Sequence, residues 1–326
     1  LWERVARSAG RGDFAHRPSP VLRASSPTRG EEKAENRIPI FIGMMATSLL
    51  VACTALAQAS TPTSTPMVGG GGAIPARGTR LPASVSQGAM VVGNTHPAAI
   101  VEVGGRTLSV APDGNFVFGV GRDEKGPLVV KIKQPATGWI EQRIDVTARD
   151  WPIENIKGVP PKTVNPPPDI AARIEREQAQ VSAARERDDP REDFAQTFQW
   201  PVQGRISGRF GNQRVYDGTP KSPHSGMDIA VPKGTPVHAP ADGVVTFAAP
   251  DLYLTGGTVL LDHGHGISSN FLHLSRIDVK VGDVVEQGDV IGAVGMTGRA
   301  TGPHLHWGMS WFDVRIDPLL VLESRK

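Results

Sequence analysis

A chain of 326 residues with 39% apolar and 6% aromatic content has room for two modest folded units and their connectors. Its formal charge of +2 arises in the first 52 residues, which hold eight Lys/Arg and five Asp/Glu; the remainder is near neutral with no Arg/Lys stripe, which argues against nucleic acid as a partner. The single cysteine, Cys53, excludes an internal disulfide framework and a multi-thiolate metal site, so any metal must be held by His and carboxylates.

Residues 1–59 read as a leader. Ile38–Ala59 is apolar and uncharged, follows Lys33 and Arg37, and ends in Ala57-Gln58-Ala59, the small-x-small pattern of a cleaved signal peptide. The same stretch is long enough to span a bilayer. Leu50-Val51-Ala52-Cys53 is similar to a bacterial lipobox, which would make Cys53 a lipidated anchor. Export to the periplasm or cell envelope is expected on either reading. Residues 60–80 are a Thr/Pro/Gly tether with nothing to bury, hence a flexible linker.

From 81 to 150 short β-branched runs (Ala99–Val103, Thr107–Val110, Asn115–Val120, Leu128–Ile132) alternate with Gly-Gly, Pro-Asp-Gly and Lys-Gly-Pro turns, which predicts a small β-sandwich-like domain. With His96 as its one histidine, it reads as a spacer or wall-facing adapter rather than a second catalytic unit. A Pro-rich and helical linker over 151–197 follows, with a charged, helix-prone segment at 170–188 carrying a thin Ile170/Ile174/Val181 stripe. Over 198–326 the pattern is again strand and turn: Gly243–Phe247, Thr258–Leu261, Ser269–Leu274, Val290–Val294 and His304–Met309 predict an antiparallel sheet around a groove.

Most of the nine histidines fall inside that last segment. His224 and Asp228 stand four apart around Gly226, which lets the chain bend so that both face one point. His273 is set in an apolar strand, Phe271-Leu-His-Leu274. His304 and His306 flank Leu305, and residues two apart in a strand share a face, so both imidazoles line one wall while Leu305 and Trp307 turn to the core. Two His and one carboxylate suit zinc with a fourth position left for water, and a neighbouring imidazole can move a proton at neutral pH. Spacing alone leaves open which of His304 and His306 would bind metal. His263 is expected to line the groove or to support the residues around the metal from behind, His265 to face solvent, and His238 to be incidental.

These motifs resemble the M23 peptidases, the LytM or lysostaphin-like class. The likeness runs from about 200 to 321: Phe210-Gly211, His224-Ser-Gly-Met-Asp228-Ile-Ala230, Gly234-Thr-Pro-Val237, Ala241-Asp-Gly243, the Gly-rich stretch 281–298, Gly302-Pro-His-Leu-His-Trp-Gly308 and Asp317-Pro-Leu319. The resemblance implies a mostly β chain whose C-terminal antiparallel metallopeptidase domain follows the sandwich-like unit and helical linker. It implies one Zn²⁺ held by His224, Asp228 and His306, catalytic roles for His273 and His304, and peptidoglycan as substrate and partner, beside cell-envelope proteins. The family's alternative role is a non-catalytic activator of cell-wall amidases. Its latent forms block the metal with an upstream Asn, which draws attention to Asn212.

Overall fold

A computed structural model describes residues 78–157 and 161–323, without the side chains of Pro161 and Thr163. The leader, Cys53 and nearly all of the 60–80 tether lie outside the described residues. What is described is mostly β, 43% strand and 12% helix.

The first seven strands are β1 (Ser84–Ser86), β2 (Met90–Asn94), β3 (Ile100–Val103), β4 (Arg106–Leu108), β5 (Asn115–Gly119), β6 (Leu128–Gln134) and β7 (Gly138–Thr147). They form a five-stranded sheet in the order β1-β7-β6-β3-β4 and a separate β2-β5 pair. Val101, Val130, Ile132 and Ile144 are buried between them with Phe116 and Phe118. In β5 the run Phe116-Val117-Phe118 is buried on both faces. A strand with one wet face would alternate, so β5 has a second layer against it.

That layer belongs to the C-terminal part. Phe118 meets Trp311 edge-on with ring centroids 6.4 Å apart, and a Cβ on Gly119 would lie 2.8 Å from Ile316. Both segments contribute to one continuous hydrophobic core. Between them run β8 (Ile153–Ile156), the short helix α1 (Pro161–Val164) and α2 (Pro168–Arg185). No side chain of α2 is fully buried. Polar contacts hold it instead: Arg173 pairs with Glu177 one turn on at 2.6 Å, donates to the Asp251 carbonyl, and Glu177 accepts from the amide of Tyr253.

The C-terminal strands are β9 (Arg205–Gly208), β10 (Gln213–Tyr216), β11 (Thr219–Pro220), β12 (Met227–Ala230), β13 (Pro236–His238), β14 (Gly243–Leu252), β15 (Gly256–Asp262), β16 (Ile267–Leu274), β17 (Arg276–Ile277), β18 (Val284–Val285), β19 (Val290–Ala293), β20 (Leu305–Trp311) and β21 (Val314–Ile316), closed by helix α3 (Pro318–Glu323). The main sheet has the order β18-β14-β15-β16-β20-β12-β9, with β21 on β20, and its pairs are antiparallel. Its central strands β15 and β20 are buried along their whole length. In β20 the Leu305, Trp307 and Met309 side chains, all fully buried, anchor the strand that carries His306. Smaller sheets, β13-β19-β17 and β11-β10-β8, flank it; the second joins the connector strand β8 in parallel to β10.

Candidate metal centre

Strand register brings the centre together. Asp228 on β12 lies directly opposite His306 on β20, so the two side chains rise side by side on one face of the sheet. Gly208 on β9 lies on the other side of Asp228, and a Cβ there would sit 2.6 Å from the carboxylate, so only glycine leaves it room. His224 comes from the loop before β12. Its backbone is tied into the β9–β10 turn, with the His224 amide donating to Asn212 O and its carbonyl accepting from the Gly211 amide, both at 2.9 Å.

His224 Nε2, His306 Nδ1 and Asp228 Oδ1 converge. The separations are 3.0 Å (His224 to Asp228), 3.0 Å (His224 to His306) and 2.8 Å (His306 to Asp228), and all three residues are buried. His224 Nδ1 donates to the Arg209 carbonyl at 3.0 Å, which fixes the tautomer and leaves the Nε2 lone pair facing inward. Three inward lone pairs with too few protons to link them describe a cation site. Donors about 2.0–2.1 Å from a tetrahedral centre stand about 3.3 Å apart, so the residues fit such an ion after only slight outward relaxation. Burial alone would push the Asp228 carboxyl up. The adjacent His224 and His306 outweigh it and hold the group well below the usual carboxylate range. Burial, above all, lowers His306 to about 4, so its ring is neutral and able to ligate at neutral pH.

His273 and His304 flank this cluster. Because Leu272 is the residue opposite His306, simple alternation would aim His273 at the other face of the sheet. A left-handed backbone at His273 (φ 64°) breaks the alternation, and its ring lies 4.8 Å from that of His304 and 6.4 Å from that of His306, centroid to centroid. A non-glycine residue held in that region stores strain of about 1–3 kcal/mol and is a mark of functional sites. His273 Nδ1 donates to Thr297 O and His304 Nδ1 to Gly302 O, each at 2.8 Å, so both rings keep Nε2 as the free acceptor. His304 Nε2 is 3.8 Å from Asp228 Oδ1. Burial, then repulsion from His304 and His306, pushes His273 down to about 3.

Two expectations are corrected. His265 does not face solvent: it is 5% exposed, its ring 4.8 Å from that of Phe194, and its amide donates to Asp189 O. His263 lines no groove but is fully buried, bonded to Asp242 O and Ser269 Oγ. The segment 186–198, straddling the connector, covers both. Asn212 turns its amide to Glu154 Oε1 at 2.7 Å rather than into the cluster. His238 bonds the Gly288 carbonyl in the turn before β19.

Sequence reasoning missed Arg214. Its Nη2 donates to Asp228 Oδ2 at 2.5 Å, a contact signalled only by its position four residues after Phe210.

The family model "Peptidase family M23" matches residues 222–318, the segment bearing His224, Asp228, His273, His304 and His306. Peptidoglycan DD-endopeptidase ShyA of Vibrio cholerae is 44% identical over 111 residues, 33% of this chain and 26% of that protein. DD-carboxypeptidase/endopeptidase Mpg of Neisseria meningitidis is 48% identical over 84 residues, 26% of this chain and 19% of its own. The chain thus spans about a quarter or less of these curated relatives' length. A solved peptidase M23 structure from Pseudomonas aeruginosa is 36% identical, with a TM-score of 0.58, and the match covers 73% of this chain and 94% of that one. With that coverage, and the family model falling on the strands that build the centre, the chain belongs to peptidase family M23.

Proposed function

We propose that this chain is a zinc peptidase that hydrolyses D,D peptide cross-links of peptidoglycan outside the cytoplasmic membrane. In this reading His224, Asp228 and His306 hold one Zn²⁺, and His273 and His304 are catalytic. The observation that carries it is the convergence of three buried lone-pair atoms within 3.0 Å of one another beside two further imidazoles with free Nε2 atoms. The bond type follows the activities for which the Vibrio and Neisseria relatives are named.

When bound, zinc acidifies water toward a pKa of ~7 and polarises the scissile carbonyl. The protein's own groups do the rest. His273 and His304, their Nδ1 protons committed to backbone carbonyls, offer Nε2 lone pairs that orient the attacking water and accept its proton. Once protonated, the same nitrogen becomes a donor that can steady the oxyanion or return the proton to the leaving amine.

Digestion of purified sacculi with metal-loaded protein, followed by mass analysis of the muropeptides, tests this. Cross-linked dimers should fall to monomers, stop falling with a chelator, and resume on adding Zn²⁺. Intact cross-links beside one tightly bound zinc per chain would sink the peptidase reading and favour the amidase activator.

A further inference from the structure

The Asp228 carboxylate is divided between two tasks. Oδ1 faces His224 and His306, while Oδ2 accepts from Arg214 Nη2 at 2.5 Å. Arg214 lies on β10, whose parallel neighbour is the connector strand β8, and Glu154 of β8 sits directly opposite it in the register. Glu154 Oε2 is 3.6 Å from Arg214 Nε, within ion-pair reach, and Glu154 Oε1 takes the Asn212 amide at 2.7 Å. The side chains are 25% (Glu154), 18% (Arg214) and 12% (Asp228) exposed, so water screens this chain of charges only partly. Glu154 and Arg214 both precede the 222–318 segment that the family model covers.

We infer that Arg214 is a positioning residue for the metal centre, pinning Asp228 Oδ2 so that the carboxylate presents a single oxygen, and that Glu154 of the connector holds Arg214 to that task. The inference rests on the proposed metal-ligand role of Asp228. Its physical reason is competition. A carboxylate with both oxygens free can close on an ion with both, filling the position that a water needs, whereas one oxygen bound to a guanidinium cannot. Glu154 keeps the guanidinium from swinging away, and the β8–β10 pairing keeps Glu154 in place. The connector is therefore part of the site.

The test uses the full chain loaded with Co²⁺, whose visible spectrum reports coordination number, together with chelator competition for metal affinity. Wild type should show the intense band of a four-coordinate ion. Arg214→Gln should lose that intensity and bind the ion ~10–100-fold more weakly, Arg214→Lys should recover part of both, and Glu154→Gln should shift both in the same direction by less. Near-UV circular dichroism of each metal-free variant separates misfolding from mispositioning; if Arg214→Gln does not fold, Glu154→Gln decides. Spectra and affinities of the folded variants that superimpose on wild type would overturn the inference. Wild type that takes up no cobalt would instead overturn the metal-centre reading on which it rests.

Discussion

Gly226 shows how little space the centre has to spare. A Cβ there would lie 2.5 Å from Trp307 O and 2.8 Å from His306 Nε2, and the first of these is backbone of a fully buried strand that cannot yield. Gly226→Ala should therefore displace His306 and strip bound metal while leaving the β content intact, which metal analysis and far-UV dichroism of the purified variant would establish; full metal occupancy would refute it. The two histidines of the 304–306 pair should fail differently. His306→Ala should lose metal and turnover together, whereas His304→Ala should keep its metal and lose turnover by ~10²–10⁴-fold, the usual worth of a positioned acid or base. Retained metal in the first variant and loss in the second would reverse the assignment. Sequence spacing identified both residues but could not rank them, because i and i+2 share a face on any strand. What ranks them is register, Asp228 opposite His306, and register is a property of two strands. Gly226 was legible as a bend, yet its role is room for a neighbouring strand. Arg214 was illegible because an isolated arginine in a polar strand looks like surface until its partner 14 residues away is in place.

At the scale of elements, the strands that could be read are those with a buried face. Leu128–Gln134 and Ile267–Leu274 carry it openly, and they were placed to within two residues. Strands such as β7, exposed along nearly all of Gly138–Thr147, and the polar β10 are held by backbone pairing and leave no apolar period to see. The β15–β16 turn was misread for the opposite reason: its Gly-rich sequence makes His263 look open to the groove and His265 to solvent, but the segment before Phe198 covers both. A Cβ on Gly264 would fall 1.8 Å from the Arg191 carbonyl, so the covering segment lies directly on the turn. Beneath it Asp262 is buried, and burial, followed by repulsion from Asp189, raises its carboxyl from 3.8 to about 7. The sign follows from which state ionises first. Below about pH 4 the group is neutral folded or unfolded and its stabilising share is complete. As pH rises toward 7 the unfolded chain ionises first, and that share is lost. Asp262→Asn should thus flatten the decline of stability between about pH 4 and pH 7, a difference on the order of a few kcal/mol by urea unfolding. Parallel stability curves for variant and wild type would show that Asp262 ionises in the folded protein as it does in the unfolded chain.

On the scale of the whole molecule, the 78–147 strands and the peptidase sheet share one core, a fact hidden from the sequence because the touching residues are far apart along the chain. Phe118 reaches Trp311, the Arg106 guanidinium stacks 3.8 Å over the Phe312 ring, and Arg122 donates to the Gly211 carbonyl in the turn to which the His224 backbone is tied. Arg149 closes the seam with a 2.8 Å ion pair to Asp317, a carboxylate only 3% exposed. Removing one member of such a pair strands the other charge, so Arg149→Met should cost about 3 kcal/mol. Phe118→Ala should cost about 3–5 kcal/mol through the cavity it leaves. If the seam couples the two parts as tightly as this packing indicates, either loss must be felt everywhere at once. Hydrogen exchange followed by mass spectrometry tests this directly. Amides of β6, in the first sheet, and of β15, in the second, should open with the same free energy, and both should open more readily in Phe118→Ala. Saturating Zn²⁺ should slow both, by about 2.7 kcal/mol at a hundredfold excess over the dissociation constant, because the ion binds only the folded chain. β6 amides that exchanged independently of added metal would mean that the first sheet is a passenger on the peptidase rather than part of its fold.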